Sequence, residues 1–275
     1  MLDDVAAERW REEQRAVYSS GDTEHLARQQ ESLAWALVDA AGPTSGQSVL
    51  DVGAGTGNVA IAAARRGARV TAVDITPHQV RQGIERSALE GLEIDWKVAD
   101  AEALPVPDTT MDMVLSNFGV VYAARPSRAA AEITRVLKPM GTAHFTAYPA
   151  DSFNGEVLRI VQRYVSSADA APTVDEYAWS DSQALRRWFP GCSIGITEHV
   201  HYVDPQPSVD AWWEAMRGVP ILERLRETLS QRDFRTFREN VIALRLRFAD
   251  VAADGTVTPF NRYVNCRVDL GHAEP

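Results

Sequence analysis

The feature that most constrains the fold of this chain is a glycine-rich segment, QSVLDVGAGTGNV, at residues 47–59. In its first half, Val49, Leu50 and Val52 predict a buried strand. Gly53, Gly55 and Gly57 then allow the backbone to turn sharply and to approach a ligand without a Cβ atom in the way. A helix that begins near Asn58 would point its free N–H groups and the positive end of its dipole at this ligand, which favours an anionic group. The segment therefore predicts a strand, a cofactor-binding loop and a helix in succession.

The spacing of these glycines bears on the class of cofactor. In the dinucleotide fingerprint the third glycine follows the first by five positions, and here that position is Asn58. The next predicted strand ends in Asp74, 21 residues after Gly53. A carboxylate there can accept hydrogen bonds from both hydroxyls of a ribose, which suits NAD and S-adenosylmethionine equally. No Arg or Lys follows Asp74 within reach, so a 2′-phosphate has no counter-charge and NADP is disfavoured.

Strand and helix patterns alternate from the glycine-rich segment to residue 148. The predicted strands are 47–52, 69–74, 93–98, 111–117 and 141–148, and the predicted helices lie near 57–66, 77–90 and 126–138. Such alternation requires parallel strands joined by right-handed crossovers, and ligands then bind at the carboxyl ends of the strands. The predicted fold class is therefore α/β, with a doubly wound sheet.

Four motifs in this region carry a resemblance to a known family. They are VLDVGAGTG at 49–57, VTAVDIT at 70–76, VADAEALPVPDTTMDMVLSNFGV at 98–120 and ITRVLKPMGTAHFTAY at 133–148. In this order they resemble the motifs of class I S-adenosylmethionine-dependent methyltransferases, most of all the small-molecule group that includes the ubiquinone and menaquinone C-methyltransferases. The resemblance covers residues 30–150. It implies a mostly parallel, seven-stranded, Rossmann-like sheet with a helical cap insertion, and S-adenosyl-L-methionine as the cofactor.

The loop geometry and the resemblance together indicate a set of cofactor contacts. Asp74 is expected to accept the ribose hydroxyls, and Asp100 occupies the position at which related enzymes hydrogen-bond the adenine amino group. Each has a structural alternative, because Asp74 could cap the helix that Pro77 starts and Asp100 could form a turn in a polar loop. The glycines could likewise serve only a tight turn. The full predicted set is Asp51, Gly53, Ala54, Gly55, Gly57, Asp74, Ile75, Asp100, Ala101, Asn117 and Phe118.

The methyl acceptor is expected where the fourth strand ends, at Asn117 and Phe118. Phe118 or Tyr122 would flank the sulfonium methyl group. In related methyltransferases an N-terminal helical segment lies over the cleft, so Trp10 or Tyr18 could be a lid residue, although packing alone also explains a tryptophan there. The predicted acceptor contacts are Tyr18, Tyr122, Trp179 and Trp213.

The part of the chain after residue 150 is rich in aromatic residues. An aromatic cap of this kind would suit a flat, apolar acceptor, and a cap that only packs against the sheet would have the same composition. The two interpretations are equally supported. The tryptophans of this part are Trp179, Trp188, Trp212 and Trp213.

The sulfonium methyl group is already activated, so catalysis requires mainly alignment of the acceptor, which can contribute about 7–11 kcal/mol. A general base is needed only if the acceptor must lose a proton. Tyr148, at the carboxyl end of its predicted strand, is the better placed candidate, whereas His144 lies in mid-strand and is more readily explained as structural. His199 and His201 share one face of a predicted strand, but two histidines without a carboxylate or thiolate partner are weak support for a metal, and none is expected.

These patterns also predict the organisation of the chain. We expect an N-terminal helical lid at 1–42, an S-adenosylmethionine-binding core at 43–150, a cap and acceptor-binding insertion at 151–260 with a sheet strand near 193–203, and a final strand and tail at 261–275.

Composition argues against several classes of partner. The formal net charge of −10 opposes the phosphates of nucleic acid. No stretch approaches 18 uninterrupted apolar residues, and the N-terminus lacks the apolar run of a signal peptide, so membrane insertion is not expected. Cys192 and Cys266 have no ligand or redox spacing, and a cytoplasmic location is the expectation. The sequence leaves open whether the chain forms a homo-oligomer.

The leading prediction is an S-adenosylmethionine-dependent methyltransferase of a small, aromatic or otherwise apolar metabolite, such as a natural product or a quinone-like acceptor. One alternative is the same fold with another activity, such as a cyclisation. Another is a non-catalytic S-adenosylmethionine-binding partner of a second protein. No motif is broken, which favours methyl transfer, but the sequence does not identify the acceptor or the atom that is methylated.

Overall fold

The computed structural model describes residues 2–19, 23–164, 174–216 and 219–271. Its strands are β1 (Ser48–Val52), β2 (Arg69–Asp74), β3 (Ile94–Val98), β4 (Met111–Asn117), β5 (Leu137–Ala147), β6 (Ser193–Tyr202), β7 (Ala249–Val251) and β8 (Val257–Asp269). Its helices are α1 (Asp4–Ser19), α2 (Thr23–Ala41), α3 (Asn58–Arg65), α4 (Pro77–Leu89), α5 (Pro126–Val136), α6 (Phe153–Gln162), α7 (Ser182–Trp188), α8 (Val209–Ala215), α9 (Pro220–Thr228) and α10 (Gln231–Arg247). Two 3₁₀ turns complete the described elements, the first at Val120–Tyr122 and the second at Glu176–Ser180.

The sheet contains eight strands, of which seven follow one another in the order β3-β2-β1-β4-β5-β8-β6, while β7 pairs with β8. The pairs from β3 to β5 are parallel, and β8 runs antiparallel to β5. This arrangement confirms the predicted doubly wound, mostly parallel sheet. The strand order reverses between β1 and β4, and the carboxyl ends of strands at such a switch point form the crevice in which these sheets bind ligands.

The chain divides into two compact units. The first comprises Met1–Ala147, Pro172–Thr197 and Val264–Pro275, and the second comprises Tyr148–Ala171 and Glu198–Tyr263. The second unit therefore differs from the insertion expected at 151–260, because residues 172–197 pack within the first unit. Within the described ranges, no helix is long and apolar enough to cross a membrane.

Helices cover both faces of the sheet in the first unit. On β1, Leu50 and Val52 point to the cluster that α5 and α7 complete, whereas Val49 points to the cluster that α2 and α3 complete. Side chains alternate between faces along a strand, so a strand covered on both sides must be apolar at nearly every position. This explains why Val49, Leu50 and Val52 are all apolar.

The second unit has its own core, in which aromatic residues of α6, α8 and α10 pack together. Arg245 lies inside it, only 3% exposed, with its guanidinium over the rings of Phe153 and Trp212. One of its terminal nitrogens donates to the carbonyl oxygens of Phe248 and Phe260. Burial lowers the pKa of Arg245 to about 9. A buried cation is thus held by ring faces and carbonyl dipoles.

Two helix boundaries differ from the expectation. Phe234, Phe237 and Phe248 recur with other apolar residues at steps of three and four, which predicts one helix over 221–249. The structure interrupts this helix after Thr228, and α10 begins anew at Gln231 because Ser230 caps it by accepting a hydrogen bond from the N–H of Asp233 at 3.1 Å. Similarly, α5 ends at Val136 rather than at 138, and β5 starts at once, four residues before the predicted strand.

Candidate functional site

Two of the three glycines of the loop after β1 are required by packing. A Cβ atom on Gly53 would come within 2.6 Å of the Cα of Gly119, so this position brings the β1 loop against the loop after β4. A Cβ atom on Gly57 would lie 2.7 Å from the ring of Trp96 on β3. Both glycines also have positive φ angles, 67° and 95°. Packing within the protein therefore explains why Gly53 and Gly57 have no side chain.

Gly55 is different, because it faces open space. Among the described residues, a Cβ atom there would have only the Gln79 Oε1 atom nearby, at 3.8 Å. Its φ angle of 56° holds the backbone in the left-handed region. Gly55 is thus the glycine whose missing side chain leaves room for something outside the protein to approach the backbone.

Asp74 ends β2 directly beside Gly55. Its two carboxylate oxygens accept hydrogen bonds from the N–H groups of Gly55 and Thr76, both at 2.8 Å. The N-cap residue of α4 is Thr76, so the alternative role of Asp74 as the cap is not the one adopted. Burial raises the pKa of Asp74, although these two hydrogen bonds oppose the effect. Ile75 follows, half-buried, at the rim of the same loop.

Asp51 lies below the loop and is 1% exposed. One carboxylate oxygen accepts a hydrogen bond from the N–H of Ala60 at 2.9 Å, which ties β1 to α3. The other, Oδ1, is buried and has no hydrogen-bond partner among the described residues. Burial raises the pKa of Asp51 to about 8, and the charge of Asp74 acts in the same direction. This buried oxygen has hydrogen-bonding capacity that the described chain does not use.

Arg86 on α4 stabilises the loop from outside and was not predicted. One of its terminal nitrogens donates to the carbonyl and hydroxyl oxygens of Thr56, at 2.9 and 2.7 Å, and to Asn58 Oδ1 at 3.0 Å. Nothing in its local sequence distinguishes it from the other arginines of the chain. Its role depends on α4 lying beside the loop.

Asp100 and Ala101 form the loop after β3, where both are partly exposed. Asp100 accepts a hydrogen bond from the N–H of Glu102 at 2.9 Å and pairs with Arg11 of α1 at 2.5 Å. Arg11 also reaches Glu102 at 2.8 Å. Arg125, after β4, pairs with the same Glu102 at 2.8 Å. Asp100 thus makes the predicted turn, and an ion-pair network that the sequence did not reveal joins α1 to this loop.

Asn117 and Phe118 end β4 as expected. Phe118 is a non-glycine residue with a φ angle of 55°, and its N–H donates to the Thr146 hydroxyl at 2.9 Å. That hydroxyl in turn donates to Asn117 Oδ1 at 2.9 Å. A buried phenylalanine held in the left-handed region is strained, and such strain is typical of functional sites.

Two predicted acceptor contacts, Tyr18 and Tyr122, lie side by side. Tyr18 belongs to α1, and Tyr122 ends the first 3₁₀ turn. Their ring centroids are 5.8 Å apart in an edge-to-face arrangement. The indole N–H of Trp10 donates to the Tyr122 carbonyl at 2.8 Å, and the amide of Gln79 donates to the Tyr18 carbonyl at 3.1 Å. Burial raises the pKa of Tyr18 to about 12, and the charges of Glu176 and Asp74 add to the effect.

Glu176, at the start of the second 3₁₀ turn, was not predicted at all. Its side chain is half-buried, and no hydrogen bond or ion pair to it occurs in the described ranges. Burial raises the pKa of Glu176 to about 7, with a smaller effect in the same direction from Asp175. The only sequence signal is a glutamate beside aromatic residues, which is too common to indicate a site.

The remaining predicted residues are described by their own surroundings. Trp179 has no exposed surface and packs on Phe145 with ring centroids 5.2 Å apart, which favours a packing role. His144 is 7% exposed in mid-strand, and burial lowers its pKa to about 4. Tyr148 and Trp213 belong to the second unit, the former near Arg245 and the latter in the aromatic core. No group of three or more metal-ligating side chains occurs among the residues that the structure describes.

Comparisons with known proteins place the chain among its relatives. Residues 50–145 match the family described as "Methyltransferase domain". A demethylmenaquinone methyltransferase of Renibacterium salmoninarum is 32% identical over 201 residues, which are 68% of this chain and 79% of that protein. An uncharacterized protein of Mycobacterium tuberculosis is 40% identical over 151 residues, 54% of this chain and 55% of the relative. The chain thus spans about half the length of such mycobacterial relatives.

Solved structures share the fold. A putative methyltransferase of Bacillus halodurans superposes with a TM-score of 0.59 at 17% identity, covering 86% of this chain and 98% of that one. The [4+2]-cyclase SpnF superposes with a TM-score of 0.51 at 17% identity, covering 87% and 80%. At such identities the likeness concerns the fold alone.

Proposed function

We propose that this chain, which belongs to the class I S-adenosylmethionine-dependent methyltransferases, transfers the sulfonium methyl group of S-adenosylmethionine to a small aromatic or otherwise apolar acceptor. The relative named demethylmenaquinone methyltransferase makes a quinone-like acceptor the first to test. The acceptor itself, and the atom that receives the methyl group, are part of this proposal.

The observation that carries the cofactor assignment is the open space over Gly55, bordered by Asp74. The N–H of Gly55 is already bonded to Asp74, so the loop is held in shape before any ligand arrives. A side chain at Gly55 would project into this space. A ribose placed there would lie beside the Asp74 carboxylate, which has lone pairs for both hydroxyls. The residues present therefore fit the cofactor.

Asp51 and Asp100 extend this fit. The buried, unpartnered Oδ1 of Asp51 is a suitable acceptor for the ammonium group of the methionine moiety, which would also lower the pKa of this carboxyl. Asp100, after β3, is on the side proposed for the adenine. Asn117 and the strained Phe118 would lie where the methionine moiety meets the acceptor.

S-adenosylmethionine supplies an activated methyl group when bound. The protein's part is to align the acceptor with it and to exclude water. Tyr18 and Tyr122 offer aromatic surfaces for a flat acceptor, and the hydrogen bond from Trp10 to Tyr122 holds α1 against the first 3₁₀ turn. The ion pairs of Arg11 with Asp100 and Glu102 hold the same helix near the proposed adenine side.

The proposal is tested by transfer of an isotopically labelled methyl group from S-adenosylmethionine to a panel of naphthols and hydroquinones, followed by mass spectrometry of the products. Asp74→Ala should reduce the transfer at least tenfold, while Asp250→Ala, at an exposed position of β7, should leave it unchanged. Labelled product from the wild type would also exclude a purely cyclising or non-catalytic protein. Transfer that is equal in both variants would contradict the assignment of Asp74.

A further inference from the structure

The inference concerns the second 3₁₀ turn, Glu176–Ser180, which is held in place on both sides of Glu176. Two residues before it, Val174 is buried with Ala7 and Trp10 of α1. Three residues after it, Trp179 is buried against Phe145 of β5. A turn anchored to α1 at one end and to the sheet at the other has little freedom to move its first residue.

Glu176 belongs to a turn that packs beside Tyr122. The second 3₁₀ turn packs against the first, which ends in Tyr122, and Val174 shares its cluster with the ring of Tyr122. The charge of Glu176 acts on the Tyr18 hydroxyl, as does that of Asp74. Two carboxylates therefore act on the Tyr18 hydroxyl, the one proposed for the ribose and that of Glu176.

A half-buried carboxylate without a partner requires an explanation. In the described part of the chain no arginine, lysine or N–H group satisfies Glu176. Because Glu176 is only partly buried, its carboxylate remains a hydrogen-bond acceptor that a ligand can use. A ligand bound there would present a hydrogen-bond donor beside Tyr122.

We propose that Glu176 binds the hydroxyl group of an aromatic, phenol-type acceptor and takes its proton during methyl transfer. This inference rests on the proposed function. In the step, the acceptor oxygen forms a bond to the methyl carbon of the sulfonium donor, the electron pair of the broken carbon–sulfur bond stays on sulfur, and the hydroxyl proton passes to the Glu176 carboxylate. No other reactant is needed.

The surroundings of Glu176 support a neutral hydroxyl as the donor. Its raised pKa gives the carboxylate a proton affinity suited to a general base near neutral pH. The titratable groups that face this region are Tyr18 from α1, Tyr122 from the first 3₁₀ turn, Asp175 from its own turn and Asp74 beyond Tyr18. A hydroxyl brings no charge into a partly buried site, and a ring fits between the tyrosines.

The test uses the full chain and 2-naphthol as the probe, with binding measured by calorimetry in the presence and absence of S-adenosylhomocysteine. Glu176→Gln should weaken naphthol binding about 10- to 100-fold, because a hydrogen bond to a charged group is lost. Asp175→Asn, a change of the same kind at the adjacent exposed position, should alter it less than about twofold. Both variants should bind S-adenosylhomocysteine as the wild type does.

The outcomes separate the two proposals. Naphthol that binds the wild type and Glu176→Gln equally, or that does not bind the wild type, overturns the role of Glu176. Tighter binding of benzylamine than of naphthol also overturns it, since the acceptor would then be an amine. Absence of S-adenosylhomocysteine binding in the wild type would instead contradict the proposed function. Circular dichroism of each variant shows whether it is folded, and Glu176→Asp, which keeps the carboxylate, should recover part of the lost affinity.

Discussion

Replacing Asp51 by asparagine should stabilise the protein without cofactor and weaken cofactor binding at the same time. Asp51 is 1% exposed, accepts one hydrogen bond from Ala60 and leaves Oδ1 without a partner among the described residues. Asparagine has nearly the same shape and still offers an oxygen to Ala60, but it carries no charge. The substitution therefore removes the ionisation of this site and little else.

The magnitude follows from the burial of the carboxyl group. Burial raises the pKa of Asp51 to about 8 from an ordinary value of 3.8. Between these two values the folded protein retains a proton that the unfolded chain releases, so wild-type stability falls as the pH rises through this window. At about 1.4 kcal/mol per pH unit, the upper limit at pH 7 is roughly 4 kcal/mol. Relaxation around the charge reduces this, and we expect Asp51→Asn to gain about 1–2 kcal/mol.

Urea unfolding of wild type and Asp51→Asn between pH 5 and pH 8, followed by circular dichroism, measures this gain. It should be small at pH 5 and increase towards pH 8. Saturating S-adenosylhomocysteine should then stabilise the wild type more than the variant. Asp250→Asn, at an exposed position, should show neither effect. A gain that does not change with pH, or a variant less stable than the wild type at pH 8, would refute the reasoning.

Further predictions concern other residues of the two units. Gly55→Ala and Gly91→Ala each place a side chain at a positive φ angle with no close neighbour, so the free energy of unfolding should fall by about 1–2 kcal/mol in both variants. Only Gly55→Ala should abolish the binding of S-adenosylhomocysteine measured by calorimetry. Asp74→Ala should weaken that binding by about 1.5–3 kcal/mol in a protein that remains folded by circular dichroism. Arg86→Met should weaken it about tenfold, since the loop loses its hydrogen bonds from α4, and an unchanged affinity would contradict that role. Arg245→Lys should lower the free energy of unfolding, measured by urea titration, by about 2 kcal/mol, because lysine cannot stack on the rings as a guanidinium does. Its cofactor affinity should be unchanged.

The sheet and the glycine loop could be predicted because their signals are local. An apolar strand, a run of glycines and a carboxylate at the next strand end lie close together in the sequence, and the alternation of strands with helices predicts parallel pairing through right-handed crossovers. Tyr18 and Tyr122 were each expected at the acceptor site, Tyr18 only through the resemblance, but their contact with each other was not predicted. Nothing in the spacing of those residues indicates that α1 crosses the end of β4.

Other parts of the site depend on contacts between distant segments. Glu176 becomes notable only when its turn packs beside Tyr122, and Arg86 only when α4 lies along the loop. For two tryptophans the sequence suggested a site that the structure does not support. Aromatic composition suggested Trp179 and Trp213 as acceptor contacts, whereas the structure buries each in a hydrophobic core. Aromatic content indicates apolar burial, but it does not indicate whether a ligand or the protein itself occupies that surface.

The boundaries between the two units could not be predicted from the sequence either. The chain leaves the first unit after Ala147, returns to it for residues 172–197 and leaves it again until Val264. Three of the crossings fall at the end of β5 or within β6 and β8, and the fourth lies outside the described residues. No Gly- or Pro-rich linker marks the three described boundaries. The expected insertion at 151–260, with its sheet strand near 193–203, therefore also took in residues 174–192, which pack with the first unit.

The central proposal, that the loop after β1 binds S-adenosylmethionine, is tested most directly by calorimetry of the wild-type protein with S-adenosylhomocysteine and with NAD under the same conditions. We predict a dissociation constant in the micromolar range for S-adenosylhomocysteine, about −8 kcal/mol, and no measurable binding of NAD. Tighter binding of NAD than of S-adenosylhomocysteine would contradict the proposal.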